Sequence, residues 1–285
     1  MPSAASKRGA GENAQMTLPR PITSLTNDRV KFIRSLEMRK VRKETGLFVA
    51  EGVSILITAR DMGFQPDILV YQAGSAAPGI PKGLVDGALK AGAECLEVSP
   101  AVLEKLAAKD NPQTMLGVFR QRWADPPAPS ALGAQDMWLA LEEIRDPGNL
   151  GTILRTVDAF GARGVILIGN CVDPFSREAI RATMGSIFAV PLVRMSREAF
   201  LDLTARWPGD IIGTHLDARE DVRHVKYNSP ALLLMGSEGP GLSPEFAAAC
   251  SKRVKIPMAG RLDSLNLSIA TAITLFELRR SHLKL

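Results

Sequence analysis

Six short apolar runs set the frame for the second half of this chain. Residues 138–141, 165–168, 190–193, 211–214, 231–235 and 254–256 are almost wholly apolar and alternate with stretches at helical spacing. A strand exposed on one face alternates apolar and polar residues, whereas a continuously apolar strand needs both faces covered. The pattern therefore predicts an α/β fold, a parallel sheet with helices on each side. In such sheets ligands bind beyond the carboxyl ends of the strands, so the loops that follow the runs are where chemistry is expected.

Upstream, a smaller α/β unit is expected. Residues 27–43 place Val30, Ile33, Leu36 and Val41 near helical period with bases between them, which predicts one basic amphipathic helix, closed by Gly46. Strands are predicted at 47–50, 67–71, 95–98 and 115–119, and helices at 53–62, 84–91 and 101–108. Between the two units, residues 125–135 hold Pro126, Pro127, Pro129 and Gly133, a composition that stops helices and central strands and marks a linker. The reading is a disordered leader at 1–20, a first domain at 21–122, a linker at 123–136 and a second domain at 137–285.

Other classes fall away on composition. The apolar-leaning stretch between Asp263 and Glu277 has 13 residues, fewer than the roughly 20 that cross a bilayer, so no membrane span is expected. The first residues lack the apolar core of a secretion signal, which predicts a cytoplasmic protein. Cys95, Cys171 and Cys250 are odd in number and widely spaced, and His215, His224 and His282 show no ligand spacing; no disulfide framework and no metal is expected. Between Arg20 and Lys43 eight basic residues meet two acidic ones, whereas the remaining 261 residues sum to −1. That cluster reads either as a solvated helix face or as a surface for phosphates.

Three strand–loop–helix junctions are unusual. Residues 143–155 leave a strand through Pro147-Gly148, with Asn149 placed to cap the next helix and Arg155 nearly two turns inside it. Residues 235–242 hold Gly236, Gly239 and Gly241 around Glu238; the spacing is neither a Walker loop nor G-x-G-x-x-G. Residues 256–268 place Ser264 and Asn266 at the start of an apolar helix, where such side chains cap free backbone donors. An oxidoreductase on a doubly wound sheet lacks its dinucleotide fingerprint here, and a serine hydrolase lacks its G-x-S-x-G elbow.

Together the junctions resemble the three motifs of the SpoU (TrmH-type) RNA ribose 2′-O-methyltransferases. Asn149, Gly151 and Arg155 match the first motif, and Gly236, Glu238 and Gly241 the second. Ile256, Pro257, Met258, Gly260, Ser264, Leu265, Asn266, Ser268 and Ala270 match the third, and the likeness spans 137–285. Departures are Gly148, where many relatives carry histidine, and Leu267, where valine is usual; neither removes a reactive group. The stretch with Asn27, Lys31, Leu36, Arg42, Phe48, Glu51 and Gly52 is similar to the opening of the L30e-like substrate-binding domain of many ribosomal-RNA members.

The resemblance implies a carboxyl-terminal trefoil-knotted domain, S-adenosylmethionine as methyl donor, a homodimer formed through that domain, and an RNA ribose 2′-hydroxyl as acceptor, with ribosomal RNA favoured. The alternatives are a transfer-RNA enzyme of the same chemistry and a non-catalytic RNA-binding module on the same fold. Carried over residue by residue, the catalytic set is Asn149, Arg155, Glu238, Ser264 and Asn266, and the cofactor set is Thr214, Gly236, Ile256, Met258 and Leu265. Arg155 is expected to grip a substrate phosphate and stabilise developing alkoxide, since a guanidinium is a poor base. Glu238 is left with two roles, loop-shaping acceptor or proton acceptor. RNA contacts are expected from Arg29, Lys31, Arg34, Arg39, Lys40, Arg42 and Lys43.

Overall fold

The computed structural model describes residues 20–107 and 113–283. The leader at 1–19 and the end of the predicted helix at Ala108 lie outside the described residues. The first unit runs β1 (Arg20–Ile22), α1 (Asp28–Ser35), α2 (Arg39–Thr45), β2 (Leu47–Glu51), α3 (Val53–Asp61), β3 (Ile68–Gln72), α4 (Ile80–Lys90), β4 (Glu94–Val98), α5 (Pro100–Leu106) and β5 (Met115–Arg120). Its sheet has the order β1-β4-β3-β5-β2, with β5 antiparallel to both neighbours. Successive strand residues point to opposite faces. Leu69, Tyr71 and Cys95 accordingly pack with Leu56 and Leu84 of α3 and α4, while Ile68, Val70 and Leu96 pack with Ile33 and Leu103 of α1 and α5.

The second unit runs β6 (Met137–Glu142), α6 (Pro147–Ala159), β7 (Gly164–Ile168), α7 (Arg177–Thr183), β8 (Leu192–Met195), α8 (Arg197–Thr204), β9 (Ile211–Thr214), β10 (Glu220–Asp221), β11 (Ala231–Met235), α9 (Pro244–Ala249), β12 (Lys252–Lys255) and α10 (Leu267–Arg279). All seven strands are parallel, in the order β10-β12-β9-β11-β6-β7-β8. The apolar runs are buried on both faces as their composition demands. Leu139, Leu167 and Leu233 meet Leu154, Ile180 and Leu275 of α6, α7 and α10, while Ala140, Ile166 and Leu232 meet Phe200 and Phe246 of α8 and α9.

The amphipathic helix predicted at 27–43 is two helices. α1 ends in the turn at Leu36, and α2 starts at Arg39. The break is made from outside the segment's own periodicity. Arg42 folds back and donates Nη1 to the carbonyls of Leu36 and Glu37, at 2.8 and 2.7 Å, which the turn leaves without helical partners.

The same guanidinium joins the two units. Arg42 Nε and Nη2 both lie 2.8 Å from Asp173 Oδ2, and the side chains are 5% and 11% exposed. Phe48 and Phe119 of the first unit interleave with Phe175 and Phe188 of the second at centroid distances of 4.9 to 5.9 Å. The expected linker begins as part of this seam, since Trp123 stacks edge-on against Phe175 and the Ala124 N–H bonds to Leu192 O at 2.8 Å. Arg42→Ala is expected to lower unfolding free energy by about 3 kcal/mol, because it strands a buried carboxylate and two carbonyls. Chemical denaturation measures this; a loss under about 1 kcal/mol would mean that water replaces the guanidinium.

Burial pushes the Cys95 thiol up to about 11 and the Cys250 thiol up to about 12, and it also raises Cys171. All three cysteines are free thiols, and no group of three or more metal-ligating side chains occurs among the described residues. No helix among those residues is long and apolar enough to cross a membrane.

Candidate active site

The three unusual loops meet beyond the carboxyl ends of β6, β11 and β12. The glycine loop is shaped first. Ser237 and Gly241 exchange both backbone hydrogen bonds at 3.1 Å, closing a five-residue turn directly after β11. Gly236, at its base, is pressed so closely on the returning strand that a Cβ there would lie 2.0 Å from Gly241 C and 2.2 Å from Leu242 N. Gly239 and Gly241 take φ of +97° and +74°, the left-handed region that glycine enters without penalty.

This turn carries Glu238 to the first loop. Its carboxylate accepts from the backbone N–H of Arg145 at 3.1 Å and of Asp146 at 3.4 Å, and from Asn149 Nδ2 at 3.2 Å. A carboxylate against the amino end of α6 also complements the helix dipole. Asn149 continues the chain of contacts, since its Oδ1 accepts from Asn266 Nδ2 at 3.0 Å. Asn266 Oδ1 then caps α10, accepting from the N–H and Oγ of Ser268 at 2.9 and 2.7 Å. Glu238, Asn149 and Asn266 thus form one hydrogen-bonded line across three loops.

The expected helix cap needs correction. Asp146, not Asn149, caps α6, its Oδ1 accepting the Asn149 N–H at 2.6 Å. Pro147 holds the first helical position, which it fills well because it has no N–H to lose, and Asn149 is left free to bridge the loops. Gly151 serves helix packing, as a Cβ there would come within 2.5 Å of Ala179 O and Ala182 Cβ on α7.

Beside this line lies a cavity of about 620 Å³, within the range of small-molecule sites. Thr214, Gly236, Ile256, Met258 and Leu265 all line it, as do Glu238, Ser264 and Asn266. The sequence reading missed His215, Asp217 and Leu242 in the same wall. For His215 and Asp217 the loop after β9 was the available signal, because it too follows an apolar strand, and Leu242 ends the glycine loop. Apolar walls from Met235, Val254 and Ile256 with carboxylates from Asp217 and Asp263 suit a ligand with a flat apolar part and a cationic centre.

Arg155 stands apart. It is exposed on α6, lies outside the cavity lining, and has no hydrogen bond or ion pair among the described residues. In the basic cluster, Arg42 is the second correction: it is buried against Asp173 and cannot reach an external phosphate. The other six are exposed. Arg29 pairs with Glu94 at 2.9 Å, Lys31 with Asp28 at 3.2 Å and Lys40 with Glu44 at 3.9 Å. Arg39 donates to Cys171 O at 3.3 Å, while Arg34 and Lys43 carry no ion pair among the described residues.

Residues 136–276 match the SpoU rRNA methylase family, and residues 27–117 match an MRM3-like substrate-binding domain. Among solved structures, an AdoMet-bound rRNA methyltransferase from Sinorhizobium meliloti is 44% identical with a TM-score of 0.85, covering 93% of this chain and 99% of that one. The SpoU methyltransferase AviRb from Streptomyces viridochromogenes, in complex with AdoMet, is 28% identical with a TM-score of 0.80 over 90% of this chain and 98% of its own. An uncharacterized tRNA/rRNA methyltransferase of Synechocystis is 33% identical over 91% of this chain and 93% of its length. The 23S rRNA (guanosine(2553)-2′-O)-methyltransferase RlmP of Bacillus subtilis is 27% identical over 90% and 98%. With full-length similarity of this kind and the motif residues gathered at one cavity, the chain belongs to the SpoU (TrmH-type) family of RNA methyltransferases.

Proposed function

We propose that this protein is an S-adenosylmethionine-dependent methyltransferase acting on a ribose 2′-hydroxyl in ribosomal RNA. The observation that carries the reading is the line Glu238–Asn149–Asn266 beside a cavity whose walls suit the cofactor. Residues Thr214, Gly236, Ile256, Met258 and Leu265 would hold the cofactor, which supplies a methyl group on a sulfonium centre. In-line attack needs close positioning, so rigid loops are the protein's main contribution. Glu238 already accepts three hydrogen bonds, which favours loop-shaping over proton transfer. The methyl group would pass to the 2′-oxygen in place of its proton as the carbon–sulfur bond breaks. Arg155 grips the adjoining phosphate and stabilises the developing alkoxide. Ser264, on the cavity wall, would orient the ribose.

A cytoplasmic location goes with that substrate, and the first unit is read as the L30e-like domain that holds it. The exposed Arg29, Lys31, Arg34, Arg39, Lys40 and Lys43 would steer RNA there. The second unit is read as a trefoil knot, a rare departure from unthreaded topology. Support comes from α10, which leaves the cavity beyond β12 and crosses back to pack on α6 and β11.

A homodimer through the second unit fits the same geometry. Ile269, Ile273 and Phe276 of α10 are 49%, 39% and 48% exposed at one helical spacing, an apolar stripe of the kind that marks an interface. Phe276 of the stripe packs against Phe160, which ends α6, the helix that carries Arg155. Ile273→Glu is expected to yield monomers in sedimentation and at least about tenfold lower activity; a fully active monomer would show that the site needs no second copy. The function itself is tested by methyl transfer from radiolabelled S-adenosylmethionine to size-separated RNA. Label in large ribosomal RNA, recovered in alkali-resistant dinucleotides, is the expected result. Label confined to transfer RNA would reassign the substrate, and cofactor binding without transfer to any RNA would favour a binding module.

A further inference from the structure

A second cavity, of about 270 Å³, opens between the two units, away from the cofactor site. Its walls come from the end of β2 and the first turn of α3 on one side and from α7 on the other, with Glu51, Gly52, Ser54, Arg177 and Arg181 among them. Arg177 is the unusual member. Its side chain is only 13% exposed, and Nη1 donates to Leu106 O at 2.6 Å, which fixes the guanidinium. Nε and Nη2 are buried and have no hydrogen-bond partner among the described residues. The nearest carboxylate, Glu37, lies 3.7 Å from Nη2, beyond hydrogen-bond reach.

The Nε–Nη2 edge of arginine is the fork that binds two oxygens of a phosphate or carboxylate. That fork is closed to solvent in this structure and holds no acceptor among the described residues, which is costly, so an anion that reaches it from the cavity gains the missing bonds. Two further features point the same way. Arg181 presents a second cation one helical turn along α7. Gly52, the residue before the nine-residue α3, has no side chain to cap it and lines the cavity with Ser54 and Ile55, so an uncapped helix amino end borders the cavity. Burial lowers the Arg177 pKa, and only partial compensation comes from Glu37 and Glu51. Glu51 is itself engaged, accepting the Gln113 N–H at 3.2 Å.

We propose that this interdomain cavity binds a phosphodiester of the RNA substrate, clamped by the Arg177 fork, Arg181 and the amino end of α3. The volume exceeds what a bare ion needs and admits the flanking sugar, against the apolar Ile55 and Met184. Arg34, a base of the amino-terminal cluster with no ion pair among the described residues, lies close enough to act electrostatically on Arg177, so the cavity continues that basic surface across the seam. The assignment to RNA rests on the proposed function; the assignment to phosphate does not.

The test compares the full-length wild type with Arg181→Gln, an exposed position, and Arg177→Lys, which keeps charge but loses the fork. Two probes are used: a ribosomal-RNA fragment, and inorganic phosphate against chloride at constant ionic strength. The variants are expected to bind the RNA about tenfold more weakly, Arg181→Gln with a salt slope reduced by about one, while cofactor affinity stays unchanged. Phosphate is expected to raise the melting temperature of the wild type more than that of either variant. Wild-type RNA affinity and salt slope in both variants, with no differential response to phosphate, would overturn the proposal. A phosphate response lost in the variants but unchanged RNA binding would overturn the RNA assignment and leave a free-anion site. If the wild type binds no RNA at all, the proposed function fails, and the phosphate arm alone decides whether the clamp exists.

Discussion

Gly236→Ala is expected to weaken S-adenosylmethionine binding at least about 100-fold, the equivalent of roughly 2.7 kcal/mol, and to bring methyl transfer below detection. The added methyl has nowhere to go. Its three nearest atoms, Gly241 C, Leu242 N and Gly241 O at 2.0, 2.2 and 2.3 Å, are all backbone, so no side-chain rotation relieves the contact. The turn that exchanges two hydrogen bonds between Ser237 and Gly241 must open, and with it go both the cavity wall and the reach of Glu238 to the first loop. Gly239→Ala is the matched control. It too places a side chain in the same loop, at φ +97°, but its Cβ meets nothing within 4 Å, so only backbone strain of about 1–2 kcal/mol is added. Calorimetric titration with the cofactor, with circular dichroism to confirm folding, separates the two. Equal losses in both variants would mean that strain, not the backbone clash, governs the loop.

That glycine illustrates how much of the site was legible in the sequence. The residue types and their junctions were readable, because a strand that is apolar throughout fixes where its loop begins, and the motif residues stand in those loops. The contacts between loops were not. Glu238 and Asn149 are 89 positions apart, Asn149 and Asn266 are 117 apart, and no local pattern encodes which amide faces which carboxylate. The cap of α6 was readable but misassigned: Asp146 and Asn149 are both capping types, and Pro147 decides between them because proline favours the first helical position.

The fold shows the same division. Runs at 211–214 and 231–235 coincide with β9 and β11, since their burial is set by composition alone. The strands β1 and β10, three and two residues long, have too little sequence to show a period and were missed. The break between α1 and α2 was invisible for another reason. Apolar spacing continues through Leu36 and Val41, and what ends α1 is a guanidinium from the following helix, itself held by Asp173 some 131 positions away. Tertiary contacts override periodicity there, and they turn a basic residue that read as an RNA contact into the joint between two units.

Arg155→Ala is expected to lower single-turnover methyl transfer by about 10²- to 10³-fold, the range for removing one electrostatic donor, while cofactor affinity stays at the wild-type value. The split follows from placement. Arg155 is exposed, makes no hydrogen bond or ion pair among the described residues, and does not line the cavity proposed for the cofactor, so its loss removes no binding wall. It lies six residues past Asn149 on α6, about 9 Å along the helix axis from the hydrogen-bonded line that borders the cavity. Arg155→Lys sharpens the reading. A lysine keeps the charge but offers a point ammonium in place of a planar fork, so activity between wild type and Ala is expected if the guanidinium clamps a phosphate bidentately. Nearly full activity in Arg155→Lys would reduce the role to charge alone, and full activity in Arg155→Ala would remove this residue from the machinery. If the apolar stripe of α10 does seat a second copy, mixing inactive Arg155→Ala with an inactive Asn149→Ala variant gives the decisive comparison. Recovery of activity in the mixed dimer would place Arg155 of one copy at the cavity of the other, whereas no recovery would keep each site within a single chain.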